Sequence, residues 1–495
     1  MNTAQRPESL KHVLPSLEDI ERSRATLLDH LPASGIGEST ATIHLQKDVL
    51  AGLNRASESP HYYGFVTGGA TPIATLADNL VTKADNSPQV HLPNETLATE
   101  VEDRALRMVC ELLDLPPDNW PHRTFTTGAT ASNVVGLACG RDYVVQHAAR
   151  EKGNSVSVAE DGMHKAMRIA GLEDLQVLTT VPHSSLRNAA SIVGLGRSAV
   201  IDVGLEGKKH CFDMRELEQR LRQPGVASIV AVSCAEVNTG FFATTGNDMK
   251  HLRESCDEYG AWLHVDAAFG LLARILPANE DFTHLRSGVA GLDLADSIAG
   301  DAHKLLNVPY DCGILLSRHL SLATQVFQNS NAVYLNTASS ETTASVSRSI
   351  PSPLNIGIEN SRRFRALPVY ASLAAYGRTG YLDMLVRQIH LARAIALFVL
   401  ESADYELLPA PLNHHVTDEE RLANIYIIVI FRPKNEELNG RLVRAVNATR
   451  RIYISGTQWE GKPAARFAVA NWQAEVEWDL EVVKGVLLEV ARSTD

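Results

Sequence analysis

Two residues in the middle of the chain have types that could carry covalent chemistry. Lys304 follows His303 in the segment Asp301–Gly313, and Asp266 ends the apolar run of the upstream segment His264–Gly270. A lysine amine can form a Schiff base, and a carboxylate can keep a pyridine nitrogen protonated. An enzyme that uses pyridoxal phosphate (PLP) requires both groups. The pair therefore predicts a PLP site, with Lys304 and Asp266 as catalytic residues.

Each of these residues, taken singly, has an ordinary alternative. An aspartate at the end of an apolar run is as often a helix N-cap or a metal ligand, and a loop lysine usually lies on the surface. The neighbourhood of Lys304 favours chemistry, because His303 adjoins it and a turn containing Pro309 leads into a predicted strand.

The segment Phe125–Asn133 places small residues and hydroxyls at the start of a predicted helix. Backbone N–H groups at a helix N-terminus, together with hydroxyl donors, can hold a phosphate group. The pattern is neither GxGxxG nor GxxxxGK[ST], so it does not indicate a dinucleotide or a nucleoside triphosphate. An ordinary N-cap remains the alternative. The candidate cofactor-binding residues in this segment are Gly128, Ala129, Thr130 and Asn133.

A histidine upstream of the aspartate completes the predicted set. His164 begins a helix after the alternating residues Val156 and Val158. An imidazole in this position can stack on a planar cofactor, although a histidine at a helix start is more often only hydrogen-bonded. The order along the chain, from phosphate cradle to histidine, aspartate and lysine, favours the cofactor site.

The pattern from about residue 97 to 330 predicts the elements that position these groups. Helical stretches alternate there with short β-branched runs, which is typical of βαβ units in a mainly parallel sheet flanked by helices. Asp266 would then lie at the carboxyl edge of the sheet, where open α/β sheets bind ligands. The predicted helices are 97–113, 132–149, 214–222 and 249–259, and the predicted strands are 229–233, 262–265, 297–299 and 313–316.

The two ends of the chain have different patterns. Residues 1–96 are predicted to form an N-terminal helical segment, residues 97–388 the large PLP-binding domain and residues 389–495 a small α+β domain. In the last of these we expect a helix at 391–402, a strand at 424–431, a helix at 438–449, strands around Tyr453 and Phe467, and a helix at 476–492.

The composition of the 495 residues excludes several classes of function. The formal net charge of −12 does not favour binding to nucleic acid or to an anionic membrane. Six scattered cysteines form no metal-binding spacing, so no metal is expected and buried reduced thiols are predicted. The N-terminal residues lack the apolar core of a signal peptide, and we expect a cytoplasmic protein.

These motifs together resemble the group II PLP-dependent amino acid decarboxylases, the family of the aromatic-amino-acid, glutamate, histidine and cysteine-sulfinate decarboxylases. The similarity runs from about Tyr63 to Trp472, and it implies the α/β fold type I of PLP-dependent transferases. The segments that carry it are Gly64–Pro72, Thr127–Asn133, His164, Asn238–Gly240, His264–Gly270, Asp301–Gly313 and Ser361–Leu367.

The resemblance implies a role for each matching residue. Lys304 would be the Schiff-base lysine, Asp266 the partner of the pyridinium nitrogen and His164 the histidine that stacks on the ring. Tyr334 matches the mobile-loop tyrosine that delivers a proton to Cα, with His164 and a water as the alternative donor, and an ordinary loop aromatic as the alternative interpretation. The remaining implied cofactor contacts are Ala129, Thr130, Asp301 and His303 around the phosphate, Asn238 near the ring and Ala268 beneath it.

The implied reaction converts an L-amino acid to its amine and CO2, which makes the protein a PLP-dependent carboxy-lyase. The alternatives are decarboxylation coupled to oxidative deamination, which yields an aldehyde, and transamination; a non-catalytic relative would be expected to lack Lys304 or Asp266. Leu305 replaces a common tryptophan, and Pro368–Tyr370 also departs from the family pattern, so the substrate stays open. The resemblance further implies a homodimer with its active site at the subunit interface.

Overall fold

The computed structural model describes residues 12–328, 350–411 and 416–493. Its helices are α1 Leu17–Thr26, α2 Glu38–His44, α3 Pro72–Ala84, α4 Ala98–Leu112, α5 Ala129–Glu151, α6 Val158–Asp161, α7 Met163–Ala170, α8 Ser184–Ile192, α9 Met214–Leu221, α10 Gly246–Tyr259, α11 Thr283–Gly288, α12 Ala302–Leu305, α13 Leu320–Phe327, α14 Ala366–Glu401, α15 Asp418–Ala423, α16 Glu436–Ala448 and α17 Val476–Arg492.

The strands fall into three sheets. They are β1 Tyr62–Tyr63, β2 His122–Thr126, β3 Asp174–Thr179, β4 Val200–Asp202, β5 Gly204–Leu205, β6 Lys208–Phe212, β7 Val226–Ser233, β8 Trp262–Asp266, β9 Ser297–Asp301, β10 Gly313–Ser317, β11 Tyr405–Leu408, β12 Ile428–Pro433, β13 Tyr453–Trp459 and β14 Lys462–Ala468. β5 and β6 form a separate two-stranded sheet.

The chain forms two compact units. One consists of Ala70–Val386 with Leu412–Tyr426, and the other of Met1–Gly69, Arg387–Pro411 and Ile427–Asp495. The division into 1–96, 97–388 and 389–495 stays a prediction.

The larger unit contains a seven-stranded sheet in the order β2-β10-β9-β8-β7-β3-β4. The neighbours from β9 to β4 are parallel, whereas β10 is antiparallel to both β9 and β2. β2 therefore runs in the same direction as β9. The carboxyl ends of β2, β3, β7, β8 and β9 consequently meet at one edge of the sheet.

Local sequence signals explain why helices cover this sheet. Thr245 and Asp248 form a reciprocal capping box at the start of α10, and Gly260 ends the helix in the left-handed conformation, with φ 63°. The long helix α5 packs on the central strands, and its apolar residues Leu137 and Val145 are fully buried. Burial of this kind is the main stabilising contribution to such a layer.

The smaller unit contains a five-stranded sheet in the order β1-β13-β14-β12-β11. β12 carries a continuous buried run from Ile428 to Phe431, and α16 packs against β12, β13 and β14. Tyr405 of β11 donates a hydrogen bond to the carbonyl of Leu487 in α17, over 2.8 Å. This unit thus combines helices with a mainly antiparallel sheet.

The structure corrects several details of the predicted elements. The predicted strand 424–431 begins only at Ile428 and extends to Pro433, and the predicted helix 391–402 is the last part of α14. β2 and β3 were missed, and β10 runs antiparallel. The six cysteines are free thiols, five of them buried. None of the described helices combines the length and the apolar character needed to cross a bilayer.

Candidate active site

The carboxyl edge of the large sheet brings together most of the predicted site residues. Asp266 is the last residue of β8, and Asp301 is the last residue of the adjacent parallel strand β9. Lys304 follows on the single turn α12, and Gly128 follows β2 as the N-cap of α5. Side chains at the ends of parallel strands converge in this way because the strands share one direction.

Lys304 is held close to the start of α5. Its Nζ lies 2.9 Å from Oδ2 of Asp301, and Oδ1 of Asp301 accepts a 2.6 Å hydrogen bond from the backbone N–H of Ala129. The lysine side chain is 19% exposed, and Nζ lies 5.7 Å from the centre of the Phe269 ring. The amine is thus accessible and is fixed by a charged hydrogen bond.

Asp266 is oriented by two donors. Nδ2 of Asn133 donates to Oδ2 over 2.9 Å, and the backbone N–H of Ala268 donates to Oδ1 over 3.3 Å. Both donors stabilise the ionised carboxylate, which can only accept hydrogen bonds. Asp266 therefore has the charge and orientation needed to hold a proton on a nearby basic nitrogen.

The start of α5 provides an anion-binding position. Within the part of the chain that the structure describes, the backbone N–H groups of Thr130 and Ala131 have no protein acceptor. Gly313 packs against Gly128 and Thr126 so closely that a Cβ would lie 2.6 Å from Cα of Gly128. Free N–H groups at a helix N-terminus suit a phosphate group. An amine, a carboxylate and an anion cradle together fit PLP.

Two other predicted residues border this cradle. Nδ1 of His303 donates to the carbonyl of Cys312 over 3.0 Å, and burial lowers the pKa of His303, so its Nε2 carries a lone pair at neutral pH. Asp301 is a hydrogen-bond acceptor when ionised and cannot donate to a phosphate. It connects Lys304 to the helix start instead.

Asn238 lies in the loop that follows β7. The carboxylate of Glu236, which is buried, accepts hydrogen bonds from the backbone N–H groups of Asn238 and Thr239, over 2.8 and 2.9 Å. It also accepts the hydroxyl of Thr239. Sequence analysis missed this carboxylate, whose three bonds set the shape of the loop that carries Asn238.

His164 is placed differently from the other predicted residues. It lies on α7, whose residues Met163, Ala166, Met167 and Ala170 pack on the apolar core of the larger unit. His164 is exposed on the polar side of this helix. The structure gives it no contact with Asp266 or Lys304.

Another histidine, His183, follows a strand that ends at the carboxyl edge of the sheet. β3 ends at Thr179 on the carboxyl edge of the sheet, and His183 follows as the N-cap of α8. Nδ1 of His183 accepts the backbone N–H of Ser185 over 3.2 Å, and the residue is exposed. Sequence analysis missed it, although the apolar run before Pro182 and the pair Ser184-Ser185 after it are the signals of a strand followed by a capped helix. Tyr334 lies outside the described residues.

Comparison with known proteins agrees with this geometry. The model of the pyridoxal-dependent decarboxylase conserved domain matches residues 36–417. The chain belongs to this family. PLP is accordingly its cofactor.

The relatives of this family member act on different amino acids. The chain is 27% identical over 290 residues to an L-2,4-diaminobutyrate decarboxylase of Acinetobacter baumannii, covering 58% of this chain and 53% of the relative. The match thus spans about half the length of that protein. An aromatic-L-amino-acid decarboxylase of Bacillus atrophaeus is 22% identical over 488 residues, covering 96% and 90% of the two chains.

Solved structures show the same fold. The Oryza sativa protein TDC, solved with PLP and tryptamine, superposes with a TM-score of 0.77 at 20% identity, covering 97% of this chain and 93% of that chain. The fold is that of the type I PLP-dependent enzymes.

The different positions of the two histidines lead to a prediction. Replacing His183 with asparagine keeps a short side-chain acceptor for the helix cap but removes the ring. Since stacking of a ring contributes about 1 kcal/mol, we expect PLP affinity to fall by about three- to tenfold. Titration of the apoprotein with PLP, followed by fluorescence quenching, measures this change.

His164→Asn is the matched control and should bind PLP like the wild type. Weaker binding in His164→Asn alone would assign the stacking role to His164. Unchanged PLP affinity in both variants would show that neither histidine stacks on the PLP ring.

Proposed function

We propose that this family member decarboxylates an L-amino acid to its amine and CO2, with PLP bound to Lys304. The observation that carries the proposal is the arrangement of Lys304 and Asp266 at adjacent strand ends. Lys304 is joined to α5 through Asp301, and Asp266 is joined to the same helix through Asn133. One helix thus fixes the amine and the carboxylate that the chemistry needs.

Each residue of the site would have a distinct role in binding the cofactor. PLP, when bound, supplies the electron sink that allows the bond between Cα and the carboxylate carbon to break. Lys304 would hold the cofactor through Nζ, and Asp266 would hold a proton on the ring nitrogen. The N–H groups of Thr130 and Ala131 would bind the phosphate, with His303 beside it. Asp301 would neutralise the Lys304 amine whenever the amine is free.

Completion of the reaction requires a proton at Cα. One C–C bond breaks and one C–H bond forms, so a general acid must supply the proton after CO2 leaves. We assign this role to Tyr334 on the basis of the resemblance to the decarboxylase family. Decarboxylation coupled to oxidative deamination and transamination remain the alternative outcomes, and retention of Lys304 and Asp266 disfavours a non-catalytic relative.

A panel of amino acids tests the proposed activity. The holoenzyme should release CO2 and the matching amine from at least one L-amino acid, whereas Lys304→Ala should lose at least about 10³-fold in rate because it cannot form a Schiff base. CO2 release and product mass measure both. A holoenzyme that releases no CO2 from any member of the panel, or a Lys304→Ala variant with wild-type activity, would contradict the proposal.

Tyr334→Phe tests the assigned proton donor. Removing the hydroxyl should reduce amine formation by about 10²-fold, the scale of general acid catalysis, and increase the share of aldehyde. Product mass spectrometry of reactions run in air gives the ratio. A ratio equal to that of the wild type would exclude Tyr334 from the proton transfer. Tyr310→Phe is a control, since Tyr310 is an exposed tyrosine close in sequence to Lys304.

We also propose that the protein is a cytoplasmic homodimer with its active site at the subunit interface. The N-terminal residues 17–53 expose leucine side chains, including Leu28, Leu31 and Leu50, which are 59%, 96% and 62% exposed. Exposed apolar side chains concentrated in one segment favour contact with a second copy of the chain.

Serine substitutions in this segment test the dimer. Leu31→Ser combined with Leu50→Ser should shift the mass measured by light scattering from dimer toward monomer and reduce activity in proportion. Ile192→Ser is the control, because Ile192 is equally exposed at the end of α8. A wild-type protein that is monomeric at micromolar concentration would contradict the proposal.

A further inference from the structure

A network of buried polar side chains lies behind Asp266, between α5 and the sheet. It consists of Trp262 and His264 on β8, Ser297 on β9 and Asn133 on α5. All four side chains are fully buried. Buried polar groups are costly unless they are hydrogen-bonded, so their partners determine how each one is oriented.

Hydrogen bonds join Trp262, Ser297 and His264 in series. Nε1 of Trp262 can only donate, and it donates to Oγ of Ser297 over 3.0 Å. Oγ of Ser297 also lies 2.7 Å from Nδ1 of His264, a bond in which a hydroxyl can donate or accept. Burial lowers the pKa of His264 to about 4, so the imidazole is neutral at neutral pH and carries a single proton.

Two further hydrogen bonds connect His264 to Asp266 through Asn133. Nε2 of His264 donates to Oδ1 of Asn133 over 3.0 Å, which leaves Nδ2 of Asn133 to donate to Asp266. The opposite tautomer of His264 would require the Asn133 amide to turn over. Its oxygen would then face the Asp266 carboxylate, and two acceptors would repel each other.

Helix α5 is shaped to accept these side chains. A Cβ at Gly136 would lie 2.7 Å from Cε1 of His264, and a Cβ at Gly140 would lie 2.8 Å from Cδ1 of Trp262. Only glycine leaves room for both rings against the helix. The two glycines thus fix the distance from Asn133 to His264, because all lie on one rigid helix and one strand.

We propose that Ser297 and His264 are positioning residues that orient Asp266 through Asn133. Ser297 is three hydrogen bonds away from the carboxylate and acts by holding Nδ1 of His264, the ring whose Nε2 binds Asn133. The inference rests on the proposed role of Asp266 at the ring nitrogen of PLP. It extends that role to residues that do not touch the cofactor.

Ser297→Ala tests the proposal because it removes only the hydroxyl that holds Nδ1 of His264. With Asp266 less firmly oriented, PLP affinity should fall by about tenfold, and the ¹⁵N resonance of ring-labelled PLP should shift from its wild-type position. Neither readout needs turnover. Failure of the decarboxylase proposal would instead appear as absent CO2 release from the wild type.

Ser228→Ala is the matched control. Ser228 is a buried serine on β7 of the same sheet, and its Oγ accepts a 3.0 Å hydrogen bond from Gln176. Its loss should leave PLP affinity and the ¹⁵N resonance unchanged. Equal changes in the two serine variants would overturn the proposal, because they would reflect general loosening of the sheet.

Two substitutions of His264 complete the experiment. His264→Gln keeps one hydrogen-bond acceptor and one donor in the network, so the ¹⁵N resonance should stay close to its wild-type position. His264→Leu removes both groups and should shift the resonance as Ser297→Ala does. A folded Ser297→Ala protein with the wild-type resonance and PLP affinity would overturn the proposal.

Discussion

The candidate active site depends on hydrogen bonds from one face of helix α5 to the ends of two adjacent strands. Ala129 binds Asp301 at the end of β9, and Asn133 binds Asp266 at the end of β8. The two donors are four residues apart, so they lie on the same helix face, about 6 Å apart along its axis. The lysine amine and the carboxylate are therefore positioned by a rigid element rather than by flexible loops.

Close packing keeps this helix in place. α5 crosses the central strands with glycines where Trp262 and His264 approach, and its neighbouring apolar residues are fully buried. A displacement of the helix would break several buried hydrogen bonds at once, each of which is costly to leave unmade. Stability of the fold and geometry of the site thus rest on the same contacts.

The sequence predicted the elements that have strong local patterns. Apolar runs located β7, β8, β9 and β10, and the motif order located Lys304 and Asp266 near one sheet edge. The direction of each strand could not be read from the sequence, because the periodicity of a strand does not depend on whether its neighbour is parallel. The antiparallel course of β10 is therefore visible only in the structure.

The histidine and the buried network show why other features could not be predicted. His164 and His183 both begin helices, but the residues before His164 do not form a strand, whereas β3 precedes His183. The hydrogen-bonded network that links Ser297 to Asn133 joins residues separated by more than 160 positions in the sequence. Such contacts arise from tertiary packing and leave no local signal.

The most direct test is to identify the lysine that binds PLP. The holoenzyme would be reduced with sodium borohydride, digested and analysed by mass spectrometry. We expect a phosphopyridoxyl group on the peptide that contains Lys304, at near-stoichiometric yield. A modification on another lysine, or no stable modification in a protein that retains PLP, would contradict it.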